Sequence, residues 1–170
     1  MKSLIFSEYD IEAWQAGEKT LHFLKIKVQP DMIWEDSLPW WNVGGLKGGK
    51  QPFRPGDKIY IRETWRVGAW DEYENKICVD YKAGGFCRKE WLSVGKGFND
   101  LWRDSTDDAD RVFGHQNIYK WEPGQSPCRW RPPVTMPECA ARYHAIVKDI
   151  TPEKVGEEWC WIIELEMETE

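Results

Sequence analysis

A lysine on a tight turn, Gly17-Glu18-Lys19-Thr20, is the first group in the chain placed to meet an anion or a carbonyl. The alternative reading is a solvated surface lysine. Three residues on stands His22, a candidate base. Arg62-Glu63-Thr64-Trp65 closes an alternating segment. Neighbours in an extended chain point to opposite faces, so Arg62 and Glu63 are not a simple pair. A Glu63 turned inward requires a donor, or its pKa rises. The five cysteines, Cys78, Cys87, Cys128, Cys139 and Cys160, contain no C-x-x-C pair, and the three histidines are scattered. Zinc sites place two ligands close together on a turn, so no metal and no cofactor is expected, and reduced structural thiols are the reading for the cysteines.

Tryptophan stands out, with 12 in 170 residues, many in polar surroundings: Trp40-Trp41, Trp65, Trp70, Trp91, Trp102, Trp121 and Trp130. Large rings fill cores, but they also stack on bases or anchor protein partners. Placement of Trp91, Trp102 and Trp121 separates these uses. Burial against the sheet makes them structural, lining a cleft makes them ligand-binding, and an exposed patch elsewhere marks a partner surface.

These residues need elements to hold them. Ser7 is a helix N-cap with Asp10 three residues on, Ile11 and Trp14 share a face, and Gly17 fits a C-cap; a short helix is predicted from about Glu8 to Ala16. Phe23 to Val28 alternates as a half-buried strand, and Lys58–Arg62 and Lys76–Tyr81 read as two more. Tyr143 to Ile150 is predicted as a strand. Thr151-Pro152-Glu153 then reads as a helix start, with proline in the first turn beside an acid. The last strand puts Trp161, Ile163, Leu165 and Met167 on one side, with Glu164, Glu166 and Glu168 on the other. Two stretches, about residues 29–52 and 84–127, are rich in Gly, Pro or charge without a clean period and read as loop-rich insertions. Short strands with few helices predict a mainly β, α+β fold, a small closed barrel with short flanking helices.

The length fits a single domain spanning residues 1–170. Hydrophobic residues make up 41%, enough for a core, and no apolar run is long enough to cross a bilayer. The start is too short and too acidic for a secretory signal, so a cytoplasmic protein is expected. The net charge of -6 disfavours non-specific DNA binding, which rests on Lys and Arg against phosphates. The acidity is concentrated at residues 104–110 and 157–170, which read as solvated faces or loops.

In combination the pieces resemble the ASCH family of PUA-like domains, in its phage and prophage form. The resemblance is carried by Gly17-x-Lys19-Thr20 after a short helix, by Pro55-Gly56-Asp57-x-Ile59-Tyr60-Ile61-Arg62-Glu63-Thr64-Trp65, by Tyr81-Lys82-Ala83, and by Trp130-Arg131-Pro132-Pro133-Val134-Thr135-Met136-Pro137 with Ala141-Arg142-Tyr143. It implies a PUA-like β-barrel with a cleft at its mouth. Lys19, Glu63, Trp65 and Arg142 would stand near the rim and bind RNA or a modified nucleobase or nucleoside. One branch of the family looks like amidohydrolases acting on N4-acetylcytidine-like substrates, which implies catalytic roles for Lys19, for His22 or Thr20, and for Glu63 or a late glutamate, Glu157 or Glu158. The family motif G-x-K-x-x-T-x-R is only half kept, because His22 replaces its Thr and Leu24 its Arg. Glu138 and Cys139 likewise follow Met136-Pro137 where the family continues with a basic and an aromatic residue. Binding without catalysis is therefore the leading expectation, in a host-cell cytoplasm if phage-encoded. A host-interaction factor that meets a protein partner through acidic and Trp-rich surfaces is the second reading, and amide hydrolysis the third.

Overall fold

Ser7 opens the first helix by a reciprocal pair of bonds. Its Oγ accepts from the Asp10 amide at 3.2 Å, and the Asp10 carboxylate accepts from the Ser7 amide at 2.9 Å, so two amides that the helix leaves unsatisfied find partners. Helix α1 runs Glu8–Gln15, buries Ile11 and Trp14, and is followed by Gly17 at φ +72°, a left-handed position that suits glycine. Replacing Ser7 with alanine is expected to cost about 1 kcal/mol of stability, read as a shift in urea midpoint without a change in slope.

The structure is a computed structural model describing residues 1–27, 40–43, 46–83 and 91–168. It is a mixed α/β protein made mostly of strands: β1 (Lys2–Ile5), β2 (Leu21–Lys25), β3 (Trp40–Val43), β4 (Leu46–Lys50), β5 (Lys58–Arg62), β6 (Trp65–Asp71), β7 (Lys76–Tyr81), β8 (Leu92–Ser93), β9 (His144–Val155) and β10 (Glu158–Met167), with a second helix, α2 (Phe98–Phe113). The chain divides into two compact units. One holds Met1, Ser3–Ala16 and Tyr60–Arg142; the other holds Lys2, Gly17–Ile59 and Tyr143–Glu170. Among the described residues the sheets do not close into a barrel. No helix among them is long and apolar enough to cross a membrane.

The first unit is built on the sheet β6-β7-β8. Trp65, Val67, Ile77, Val79 and Tyr81 from this sheet bury against Phe98, Cys128, Met136, Ala140 and Ala141. The pairing of β6 with β7 shifts between Val67 and Ala69, a bulge at Gly68. That bulge has a use. The Val67 carbonyl accepts from Ser126 Oγ at 2.6 Å and the Gly68 carbonyl from Trp121 Nε1 at 2.7 Å, so the bulge anchors the segment after α2. At the tip of this hairpin the Asp71 carboxylate accepts from the amides of Tyr73 and Glu74, and Asn75 takes a left-handed conformation at φ +53°.

Helix α2 corrects the expectation of an unstructured insertion at 84–127. Phe98, Ser105, Asp108 and Ala109 are its buried face, and Gly114 at φ +72° ends it. Its acidic run is not simply a solvated face either. Asp104 pairs with Arg129 and Arg131, Asp108 with Arg111 and the Arg129 amide, and Asp110 with Tyr119 and His115. These bonds fasten the segment around residues 128–131 along the helix. That segment also forms a reciprocal backbone bridge between Arg131 and Trp65.

In the second unit β9, β10 and β2 lie side by side in that order, with the start of β5 on the other side of β9, and β3 pairs with β4. The loop expected at 29–52 thus contains two strands; residues 28–39 and 44–45 lie outside the described residues. The helix expected from Thr151 is absent. Residues 151–155 continue β9, with Pro152 opposite Trp161, and Gly156 at φ +65° begins a two-residue turn into β10. A helix beginning at Pro152 would have met Gly156 before completing two turns, while the extended chain gains a full ladder with β10. β2 is also re-phased from the expected Phe23 start. His22 and Leu24 face Ile163 and Trp161, which are buried, whereas Phe23 is 53% exposed. In β10 Trp161, Ile163 and Leu165 are buried as expected, with Glu164 and Glu166 exposed; Met167, expected on the buried side, is exposed.

Candidate functional site

The residues singled out from the sequence fall into both units. Lys19 is half-buried between α1 and β2, Thr20 is exposed and its carbonyl accepts from the Leu165 amide, and His22 is half-buried on β2. Glu157 sits in the β9–β10 turn and Glu158 pairs with Lys25, so neither lies on a late helix. Glu63, Trp65 and Arg142 belong to the first unit.

Glu63 is buried to 2% exposure in the short connection between β5 and β6. The donor that an inward Glu63 requires is Arg142. Its Nε and Nη2 donate to the two carboxylate oxygens at 2.8 and 2.7 Å, in the bidentate geometry a guanidinium favours. Arg142 also donates to the Ala83 carbonyl at 2.5 Å and lies 4.4 Å from the Tyr81 ring centre, while the Tyr81 hydroxyl donates to the Ala140 carbonyl. Burial pushes the Glu63 carboxyl above its ordinary value, and the hydrogen bond and charge of Arg142 pull the other way. This ion pair ties together three chain segments, at residues 63, 81–83 and 140–142. Trp65 is wholly buried in the core, with its Nε1 donating to Thr135 Oγ1 at 3.2 Å.

The concave feature of the first unit lies elsewhere. The β6–β7 hairpin contributes Trp70, Asp71, Glu72 and Tyr73, α2 contributes Trp102, Thr106 and Phe113, and the chain from His115 to Gln125 contributes Tyr119 and Trp121. Trp91 completes the lining of a hollow of about 1160 Å³. That is roughly the upper end of small-molecule sites. The walls are fixed. Trp121 is held by the Gly68 carbonyl, lies 5.4 Å from Trp70 at 53°, and is parallel within 9° to Phe113 at 6.3 Å. Tyr119 stands 6.1 Å from Trp70 and donates its hydroxyl to Asp110. That bond holds the Asp110 carboxyl below its usual range and lifts the Tyr119 phenol above its own. Trp91 and Trp102 present open ring area, being 49% and 36% exposed. Gln116, Asn117, Gln125 and Thr106 supply polar groups of the kind that read a base edge.

Trp91, Trp102 and Trp121, marked from the sequence as the discriminating set, therefore line one hollow. Its other members were hidden in sequence because they come from a hairpin and a helix that did not read as such. None of Lys19, His22, Glu63, Trp65 and Arg142 lines it. Among the described residues no three His, Cys, Asp or Glu side chains are grouped to hold a metal ion, and Cys78, Cys128, Cys139 and Cys160 form no disulfide. Cys87 and the side chains of Trp40 and Trp41 lie outside the described residues.

No family model, no curated protein and no solved structure matches this chain. The resemblance to ASCH domains stands on the motifs quoted above.

Proposed function

We propose that the protein binds a nucleobase, in RNA or as a modified nucleoside, by stacking it in the aromatic hollow of the first unit. The observation that carries this reading is the convergence of Trp70, Trp91, Trp102 and Trp121 on one concavity, with Trp91 and Trp102 exposed beside polar side chains. Every base has a π-face, and stacking on an aromatic side chain contributes about 1–3 kcal/mol per base. The ASCH-type motifs support the same ligand class and a PUA-like ancestry for the sheet. Two features weigh against the other readings. Of the acidic surfaces that the host-factor reading drew on, the run at 104–110 has Asp104, Asp108 and Asp110 engaged within the protein. The amidohydrolase reading needs a carboxylate available to manage protons, whereas both Glu63 oxygens are engaged by Arg142.

The test is acrylamide quenching of tryptophan fluorescence with and without a panel of nucleosides and short RNAs. Ligands that bind are expected to protect part of the emission. Replacing Trp91 and Trp102 together with alanine is expected to weaken binding by roughly ten- to hundredfold while leaving the fold intact, since both rings are substantially exposed. Unchanged quenching across the whole panel would remove the proposal.

A further inference from the structure

We infer that the hollow selects a positively charged nucleobase, such as an N-methylated base bearing a fixed charge, over its neutral counterpart. The inference rests on the nucleobase reading and adds the charge of the ligand. It follows from the balance of groups around the rings. Among the described residues the lining holds three carboxylates, Asp71, Glu72 and Glu122, against Lys120 and the ring of His115. Asp71 is fixed in place by the amides of Tyr73 and Glu74. Glu72 and Glu122 are exposed and make no side-chain hydrogen bond or ion pair with the described residues, so no described residue neutralises them by direct contact.

Indole faces are the strongest of the side-chain rings in attracting cations, and four of them surround this space. A neutral base gains stacking alone. A cationic base gains the same stacking, the quadrupole of each indole it covers, and the field of the carboxylates. A phosphate group meets the opposite balance, with one lysine to receive it and three carboxylates to repel it. The base, not the backbone, is therefore the part of the ligand that the hollow reads. Because the rim is open to water, the carboxylate share of the preference is screened by salt, whereas the indole share is less so.

Calorimetric titration at pH 7 with adenosine, N6-methyladenosine and 1-methyladenosine separates the contributions. The last two carry the same added methyl group, but only 1-methyladenosine is cationic. It is expected to bind about tenfold more tightly than N6-methyladenosine. That ratio is expected to shrink in high salt and in the double variant Glu72→Gln, Glu122→Gln, and to stay above one in both through the indole share. Equal affinity for all three nucleosides overturns the charge preference and leaves the nucleobase reading standing. Absence of binding by all three, with tryptophan emission unaltered, overturns both.

Discussion

Arg142→Ala is expected to lose about 3 kcal/mol of folding stability at neutral pH, the low end of the range for removing one partner of a buried ion pair. The low end applies because the Arg142 side chain keeps 18% exposure, whereas Glu63 keeps 2%. Truncation removes both hydrogen bonds to Glu63, the bond to the Ala83 carbonyl and the cover over Tyr81. It leaves an ionised carboxylate in a site built for a pair. The penalty depends on pH, and its sign follows from Glu63. With the native carboxyl already raised by burial, the folded state binds this proton more tightly than the unfolded chain does. That stability is fully present below the unfolded value and is lost as pH climbs through the native one. Without Arg142 the native value rises further, so the window of loss widens toward neutrality. The deficit of Arg142→Ala relative to the natural chain should therefore shrink as pH falls through the variant's and then the natural chain's native value, both above the ordinary 4.5, and be smallest near pH 4.5. Urea unfolding between pH 4 and pH 8 reads this directly. A deficit of constant size across that range would show that Arg142 does not act through the charge of Glu63. Arg142→Lys should recover only part of the loss, since an ammonium cannot bridge both oxygens in the same plane.

What the sequence disclosed and what it hid divide along a physical line. Local signals were legible. The Ser7–Asp10 capping pair located α1, and alternation bounded β5 and β7 at the observed residues. The inward Glu63 with its need for a donor was also readable, because burial of a carboxylate has few solutions; which arginine answered it depended on a contact 79 residues distant. The signals that failed were those in which polar residues occupy buried positions. Helix α2 buries Ser105 and Asp108 beside Phe98 and Ala109, so its inward stripe looks like an acidic loop until Arg129 and Arg131 are brought against it. β6 was hidden by the bulge at Gly68, which breaks the twofold period where the chain makes its carbonyls available to Trp121 and Ser126. The β9–β10 hairpin was hidden by Pro152, whose helix-start signal was outweighed by pairing along the whole of β10. The aromatic hollow inherits these failures. Its tryptophans were conspicuous one by one, but their convergence required β6, α2 and the segment between His115 and Gln125 to be placed together.

Arg66→Ala is expected to cost about 3 kcal/mol as well, and in addition to weaken ligand binding in the hollow. Arg66 and Asp80 face each other across β6 and β7. Arg66 Nε donates to Asp80 Oδ2 at 3.0 Å, and Asp80 is 1% exposed with its second oxygen unpartnered among the described residues, so losing the arginine strands a buried charge. The remaining reach of Arg66 concerns function. Its Nη2 donates to the Gly124 carbonyl at 2.5 Å, and its guanidinium lies 4.4 Å from the Trp130 ring centre. Gly124 sits between residues that line the hollow, with Trp121 and Glu122 before it and Gln125 after it. The same side chain that neutralises Asp80 thus holds the loop that carries the hollow's wall. The two roles come apart in the double replacement Arg66→Met, Asp80→Leu. An apolar pair of similar bulk should restore most of the stability, because neither charge is left buried. Nucleoside binding should stay weak, because the Gly124 carbonyl still lacks its donor. Urea unfolding and nucleoside titration on the single and double variants give the two readouts. Recovery of binding together with stability would mean that Arg66 serves the core alone and that the wall around Trp121 is held by the bonds from Trp121 to Gly68 and from Ser126 to Val67.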